Sequence, residues 1–334
     1  MKRRDFLLAA ATFVAAMPHA MAQQPSRQSA TPKRIAVAVS SGKTSDIKND
    51  PNAEVFDIEL KRAGFVRGEN LIVESYSAEG RPERHEALAR EVVSTQPDVI
   101  VSFGTPLTLR FKAATSTIPI VALTGDPIRF GLLSSLAHPG GNIAGVSLDA
   151  GVEVWGKRLE LLAEAVPKLS KVLFFSTQED WDGPGGDATR EAAQKLGISL
   201  VRATVNSPAD EAEYRRVFSS IQRDQVDGIV LSDDTENYKH RFLLVQLIQQ
   251  ARLPALYHLR EQVEAGGLMA YSYDLKSALR RHATQIAEIL RGANPADMPY
   301  FQVERFDLVI NLKAAKELGL EIPAGLVAGA TVID

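Results

Sequence analysis

The chain has 334 residues, of which 45% are hydrophobic and 24% are charged, as in an ordinary globular protein. This length exceeds the usual size of a single domain and predicts two domains. The formal net charge of -3 argues against a nucleic-acid partner, and the lack of cysteine excludes disulfides, thiol catalysis and zinc-cysteine sites.

The first 22 residues have the pattern of an export signal. Residues 2–4 are basic, an apolar stretch covers residues 6–17, and Ala20-Met21-Ala22 is a small-x-small cleavage site. We predict cleavage after Ala22 and delivery to the periplasm. The run RRDFL at residues 3–7 resembles a twin-arginine signal, and a general secretory signal with two incidental arginines is the alternative.

The segment after the signal, residues 23–32, is polar and rich in Pro and Ser, which predicts a flexible leader. No later apolar run reaches the roughly 20 residues that a bilayer span requires. We therefore expect a mature chain that does not span the membrane.

Short apolar runs that end in polar loops indicate buried strands in the first half of the chain. Loops rich in Ser, Thr, Gly and Asp follow three of these strands, Arg34–Val39, Val99–Phe103 and Ile118–Leu123. A helical pattern over Leu107–Ala114 joins the last two strands into a βαβ unit. Because ligands bind beyond the carboxyl ends of parallel strands, these loops predict one wall of a ligand cleft.

The same alternation restarts after Asp149-Ala150-Gly151, the first predicted crossing between domains. Strands are predicted at Lys171–Phe175, Ile198–Val205 and Gly228–Leu231, with a polar loop at Ser176–Asp187. The repeated order of strand, loop and helix predicts an α/β protein with parallel sheets.

A catalytic or metal-binding constellation is not evident in the sequence. It contains no Gly-x-Ser-x-Gly, His-Glu-x-x-His or Gly-x-Gly-x-x-Gly motif where a site would need one. Asp233-Asp234 could bind a metal or serve as acid and base, but adjacent acids at a loop start more often cap a helix. Among the histidines, only His258 stays a candidate pocket residue. We predict no enzyme activity, no cofactor and no metal.

The loop Ser40–Ser45 resembles the end of a phosphate-binding loop. The first glycine of that motif would fall at Val37, inside the predicted strand, which disfavours a nucleotide site. Hydroxyl, carboxylate and aromatic side chains at strand ends are instead parts suited to binding a small molecule.

Several motifs resemble those of the substrate-binding proteins of ABC importers, of the tryptophan/tyrosine-binding type with the type I periplasmic binding protein fold. The order of these motifs is preserved from about residue 33 to the C-terminus: Ala78–Arg84, Gly104-Thr105-Pro106, Ala114–Ile120, Gly125-Asp126-Pro127, Leu136–Asn142, Gly156–Leu162, Glu264–Met269 and Leu308–Lys313. The loops Ser176–Trp181 and Ser232-Asp233-Asp234 depart from the family pattern, which leaves the identity of the ligand open.

The resemblance implies two Rossmann-like lobes with parallel sheets, joined by three crossing segments that act as a hinge. The expected lobes are residues 33–148 with 275–303, and residues 149–274 with 304–334. The resemblance also implies a monomer that binds a small polar metabolite, with an aromatic amino acid favoured, and delivers it to an ABC permease and ATPase of the inner membrane. A sensor that presents its bound form to a membrane receptor is the alternative function.

The ligand contacts implied by the resemblance come from the strand-end loops and crossings of both lobes: Ser40, Ser41, Gly104, Thr105, Thr124, Asp126, Trp181, Asp233, Tyr257, Tyr271 and Asp274.

Overall fold

The computed structural model describes residues 31–148, 153–222 and 225–334. The predicted signal peptide, the leader up to residue 30 and the predicted crossing at residues 149–151 lie outside the described residues. Within the described residues, none of the helices is long and apolar enough to cross a membrane.

The first sheet is parallel throughout. Its described strands are β1 (Lys33–Val39), β2 (Leu71–Ser77), β3 (Val99–Phe103), β4 (Ile120–Thr124), β5 (Ile143–Ser147) and β11 (Phe301–Gln302). They are ordered β11-β5-β4-β3-β1-β2. The strand order reverses beside β1, so the loops after β1 and β3 meet at the carboxyl edge of the sheet.

The second sheet is parallel except for one pair of strands. Its described strands are β6 (Lys171–Thr177), β7 (Ser199–Val205), β8 (Gly228–Leu231), β9 (Ala255–Tyr257), β10 (Met269–Tyr273), β12 (Phe306–Asn311) and β13 (Ala330–Ile333), in the order β13-β12-β10-β9-β8-β6-β7. Strands β10 and β12 are antiparallel. The chain leaves this sheet at the end of β10 and returns at the same edge through residues 303–305, so β12 starts beside the end of β10.

The helices alternate with the strands and cover both sheets. Their described bounds are α1 (Thr44–Asn49), α2 (Ala53–Arg62), α3 (His85–Ser94), α4 (Thr105–Ala114), α5 (Glu153–Ala165), α6 (Gln178–Asp182), α7 (Pro184–Leu196), α8 (Glu211–Ser219), α9 (Thr235–Lys239), α10 (Arg241–Ala251), α11 (Arg260–Glu264), α12 (Leu275–Leu290), α13 (Leu312–Leu318) and α14 (Ala324–Ala328).

The prediction of a polar loop at Ser176–Asp187 is wrong. The segment contains α6 and the start of α7, because Thr177 caps α6 by accepting a hydrogen bond from the Asp180 backbone N–H at 3.2 Å. Pro184 then occupies the first turn of α7, where its missing N–H costs nothing.

Each sheet has an apolar core on both of its faces. Helices α2 and α12 cover one face of the first sheet and α3 and α4 the other. Helices α8 and α10 cover one face of the second sheet, and α5, α7 and α13 cover the other. These two assemblies are the two lobes of the protein. A fifth apolar cluster, which includes Leu123, Tyr273 and Leu279, lies where the lobes join.

The close pairing of β4 and β5 depends on a glycine. A Cβ atom at Gly145 would lie 2.1 Å from the Ala122 carbonyl oxygen and 2.8 Å from the Tyr300 ring. We expect Gly145→Ala to destabilise the protein by more than about 2 kcal/mol, because overpacking of this kind forces backbone shifts. Thermal unfolding should show a melting temperature lower by at least about 5 °C.

The matched control is Gly325→Ala in α14, where an added Cβ meets no atom within 4 Å. This variant should unfold near the wild-type temperature. Equal melting temperatures for the two variants would contradict the packing assigned to β4 and β5.

Candidate functional site

A cavity of about 870 Å³ lies where the carboxyl ends of the two sheets face each other. The first lobe lines it with the loops after β1, β3 and β4, and the second lobe with the loops after β8 and β9 and the end of β10. The wall contains these strand-end residues: Ser40, Ser41, Gly42, Gly104, Thr124, Gly125, Asp233, Thr235, His258 and Tyr273. A concave, largely apolar cleft with a few convergent polar groups is the usual form of a small-molecule site.

The cavity brings together part of the set of site residues expected from the sequence. Ser40, Ser41, Gly104, Thr124 and Asp233 line it, and so does His258. These residues share one property: each ends a strand, or lies within two residues of the end of a strand, whose carboxyl end points into the cleft.

Three of the expected polar residues are outside the cavity lining. The hydroxyl of Thr105 accepts a hydrogen bond from the Gly125 backbone N–H at 3.1 Å, which shapes the loop without facing the cleft. Asp126 caps its own turn, accepting from Ile128 N–H at 2.9 Å, and Asp274 caps α12. The carboxylates of these two aspartates are thus engaged by nearby backbone donors.

The three expected aromatic residues also lie outside the cavity lining. Trp181 packs against Phe174 with ring centroids 6.0 Å apart and lies under the guanidinium of Arg190 at 4.9 Å. Tyr257 is buried in the core of the second lobe. Tyr271 stacks on Phe306 at 5.4 Å. All three rings are packed against other groups of the second lobe.

Asp233 is held at the cavity wall by a buried arginine. Both terminal nitrogens of Arg158, on α5, lie 3.3 Å from Oδ2 of Asp233, and its Nε donates to the Tyr271 carbonyl. The guanidinium lies 5.2 Å from the Trp155 ring and its side chain is fully buried, whereas that of Asp233 is 28% exposed. The pair therefore presents a fixed carboxylate to the cavity, with Oδ1 free of the arginine.

His258 is a buried polar group at the same wall. It is 1% exposed, and neither of its ring nitrogens has a hydrogen-bond partner among the described residues. Burial, together with the positive charges of Arg158 and Arg241, lowers the pKa of His258 to about 3, although Asp233 opposes the shift. The ring is therefore neutral at physiological pH, with one N–H donor and one acceptor nitrogen.

The two lobes contact each other at the cavity wall through a cluster that sequence patterns do not reveal. Arg241 lies 3.1 Å from Asp50 of the first lobe, and its guanidinium stacks on Tyr238 at 4.2 Å. Tyr238 donates to Asp50 at 3.2 Å and accepts from Asn52 at 3.0 Å. Asp50 and Arg241 are 191 residues apart in sequence, so no local pattern could pair them.

A pair of enclosed carboxyl groups lies beside Asp233. Asp234 accepts hydrogen bonds from the Ser232 hydroxyl at 2.5 Å and from the backbone N–H of Asn237 at 2.7 Å. Burial raises the pKa of Asp234 to about 6. Burial, together with the charges of Asp234 and Asp233, also raises the pKa of Asp180 well above its usual value. The negative charges of these neighbouring carboxylates disfavour one another, which favours retention of a proton on Asp180.

We expect Asp180→Asn to stabilise the protein increasingly as pH rises. Because the folded pKa of Asp180 lies above its unfolded value near 3.8, its ionisation opposes folding from that pH upward through the folded pKa. The gain in melting temperature should be small at pH 4.5 and larger at pH 8, as measured by thermal unfolding across pH.

Asp182→Asn is the matched control, because it removes a carboxylate at an exposed position of the same helix. A gain from Asp180→Asn that is largest at pH 4.5 would contradict the assignment of a raised pKa.

Comparison with known proteins gives the family. A sequence model of the family described as ABC transporter substrate binding protein matches residues 52–333. A curated relative, the tyrosine-binding protein of Clostridioides difficile, is 24% identical over 265 residues, which cover 78% of this chain and 74% of the relative.

Two solved structures have the same fold. A conserved domain protein from Vibrio cholerae is 26% identical with a TM-score of 0.76, covering 91% of this chain and 100% of that one. The ABC domain of Streptococcus pneumoniae in complex with L-Trp is 21% identical with a TM-score of 0.73, at the same coverage.

The predicted fold class, two α/β lobes of the type I periplasmic binding protein kind, is confirmed by these likenesses and by the two sheets. The predicted family resemblance is confirmed by the match over most of the chain. The expectation of a binding protein rather than an enzyme follows from the family and its relatives. The chain therefore belongs to the ABC transporter substrate-binding protein family.

Proposed function

We propose that the protein is the extracytoplasmic binding component of an ABC importer and that it binds an amino acid, with an aromatic side chain favoured, in the cleft between its lobes. The observation that carries this proposal is the polar end of the cavity, where Asp233 lies with His258, whose ring nitrogens have no hydrogen-bond partner in the described part of the chain. A carboxylate suits an ammonium group, and a neutral imidazole suits a hydrogen-bonding partner.

The relatives support the proposed ligand class. One of them is named a tyrosine-binding protein, and one structure of this fold holds L-Trp. Aromatic walls are present in this cavity as well, since Phe103, Tyr238 and Tyr273 line it. We propose that these rings cover the side chain of the ligand.

We further propose that the lobes have the boundaries expected from the sequence, 33–148 with 275–303 and 149–274 with 304–334. Asp50 and Asn52 contact Tyr238 and Arg241 across the lobes, and the Ser41 hydroxyl lies 3.2 Å from the Thr235 carbonyl, so opening of the cleft would break these contacts and closure would restore them. Domain closure around a ligand is the usual motion of this class of binding protein. The closed form would be the one delivered to a permease.

The proposed function is tested by calorimetric titration of the purified protein with the standard amino acids, alongside thermal unfolding. A ligand at about 100 times its dissociation constant should add about 2.7 kcal/mol of stability. Binding confined to one class of amino acid supports the proposal. Binding of none of them, by protein that has been refolded to remove any ligand, would refute it.

Asp233→Asn should raise the dissociation constant of the amino acid at least tenfold, because it removes the negative charge that faces the ammonium group. Calorimetric titration measures this change. Asp126→Asn is the matched control, since Asp126 also follows a strand of the cleft but its carboxylate caps a turn. A larger loss of affinity in Asp126→Asn than in Asp233→Asn would place the ligand at the loop after β4 instead.

His258→Leu should have opposite effects on stability and affinity. Removing a buried polar ring without partners should raise the melting temperature of the ligand-free protein, since such groups cost about 1–3 kcal/mol. The dissociation constant should rise about fivefold or more, and equally from pH 5 to pH 8, because a pKa of about 3 leaves the ring neutral throughout.

The control is His138→Leu in an exposed loop, which should change neither quantity. Unchanged affinity in His258→Leu would show that the imidazole does not contact the ligand.

A further inference from the structure

The cavity extends beyond the polar groups between the lobes and continues beneath the first sheet. Val37 and Val39 of β1 and Val73 and Ser75 of β2 all line it. In the strand register Val73 is level with Ile35, four residues before the end of β1. At about 3.3 Å per residue, the cavity therefore runs back roughly 13 Å from the strand end. We refer to this extension of the cavity as the chamber.

The chamber has apolar side chains on two facing walls. One wall is the valine-rich face of β1 and β2, in which Ser75 is polar, and Phe56 of α2 packs in the same cluster as Val37 and Val73 on the other. Leu275 and Leu279 of α12 line the cavity nearer the join of the lobes, and the lining also includes the polar residues Asp46, Asn49, Asp50 and Asn52. The rings of Phe56 and Phe103 pack against the buried ring of His282, with centroids 6.1 and 5.5 Å away. These contacts fix the aromatic part of the wall in place.

The far end of the chamber reaches solvent at the edge of the sheet. β2 is the edge strand, and Arg67 forms an isolated bridge to Leu71 at its amino end. Arg67 and Asp57 both line the cavity, form an ion pair at 2.9 Å and are 42% and 46% exposed. The cavity is thus elongated, with a polar head end at Asp233 and His258, an apolar middle and a charged outlet.

We infer that the natural ligand is an elongated amphiphile: an amino acid or related amine with a long unbranched alkyl or arylalkyl tail. This inference rests on the proposed function, since the head binds at Asp233 and His258 while the tail fills the chamber. A length of about 13 Å equals the reach of about four extended residues, which is far more than one amino acid needs. A volume of about 870 Å³ lies in the upper part of the range for drug-sized ligands.

Tyrosine and tryptophan would occupy the head end of such a cavity and leave the chamber to water. Transfer of each methylene from water into apolar surroundings is worth about 0.8 kcal/mol, or about fourfold in affinity. A tail that enters the chamber should therefore strengthen binding stepwise with its length.

The experiment is a calorimetric titration of the purified protein with straight-chain L-2-amino acids from alanine to 2-aminodecanoic acid, and with tyrosine and tryptophan. The dissociation constant should fall by about fourfold per methylene through the longest members. Binding of tyrosine or tryptophan without this gain would overturn the inference and leave the proposed function standing. Failure of every compound to bind would overturn both.

Val73→Phe tests where the tail lies, because the larger side chain fills the chamber from the β2 wall. In this variant the dissociation constants of the long-tailed amino acids should be at least tenfold higher than in the wild type, while the dissociation constant of tyrosine stays within about twofold. Ile72→Phe is the matched control, since Ile72 is the neighbouring residue, 44% exposed, and is not part of the cavity wall. Equal effects of both substitutions on long tails would refute the placement.

Ser75→Ala gives a second test if Val73→Phe does not fold. It removes the hydroxyl of a polar residue of the same wall without adding bulk, so affinity for the long-tailed amino acids should rise severalfold. No change for the long tails, with tyrosine binding intact, would again place the tail outside the chamber.

Discussion

The buried guanidinium of Arg158 is the constraint on which the candidate site depends. A charge without access to water costs several kcal/mol unless it is paired and hydrogen-bonded. Here Asp233, the Tyr271 carbonyl and the Trp155 ring together surround it. Because these partners come from a helix, a strand-end loop and a strand, one ion pair fixes three elements at the cavity. A loop that could otherwise adjust is thereby held with its carboxylate facing the cleft.

The contacts between the lobes differ in kind from one side of the cleft to the other. Near the crossings they are apolar, with Leu123, Tyr273 and Leu279 in one cluster. Elsewhere they are polar, as between Asp50 and Arg241 or between the Ser207 hydroxyl and the Gly80 carbonyl at 2.8 Å. Intramolecular hydrogen bonds are replaced by hydrogen bonds to water at a small net cost, whereas the stabilisation from apolar burial is lost when the apolar surface is exposed. The polar contacts can therefore separate more easily than the apolar cluster.

The fold could be predicted from the sequence, and several strand-end residues named from it lie at the cavity. Strand ends followed by Ser, Gly or Asp are local features, which is why Ser40, Gly104 and Asp233 could be placed at the cleft. An aspartate that caps a turn has the same local pattern as one that faces a cleft, so Asp126 and Asp274 could not be told apart from Asp233. The expected aromatic residues lie outside the cavity lining for a related reason, since the position of the Tyr271 ring depends on its packing against Phe306, which no local pattern indicates. The Asp50 and Arg241 contact depends on tertiary structure alone.

The connections between the lobes limit how they can move. A single residue, Asp274, separates β10 from α12, and three residues separate β11 from β12. The four Cα steps from Gln302 to Phe306 span at most about 14 Å. Both links leave the second sheet side by side, where the end of β10 pairs with the start of β12, so they hold the two lobes close together at that point. A rotation of one lobe against the other would therefore pivot near these two links and widen the cleft on the side away from them.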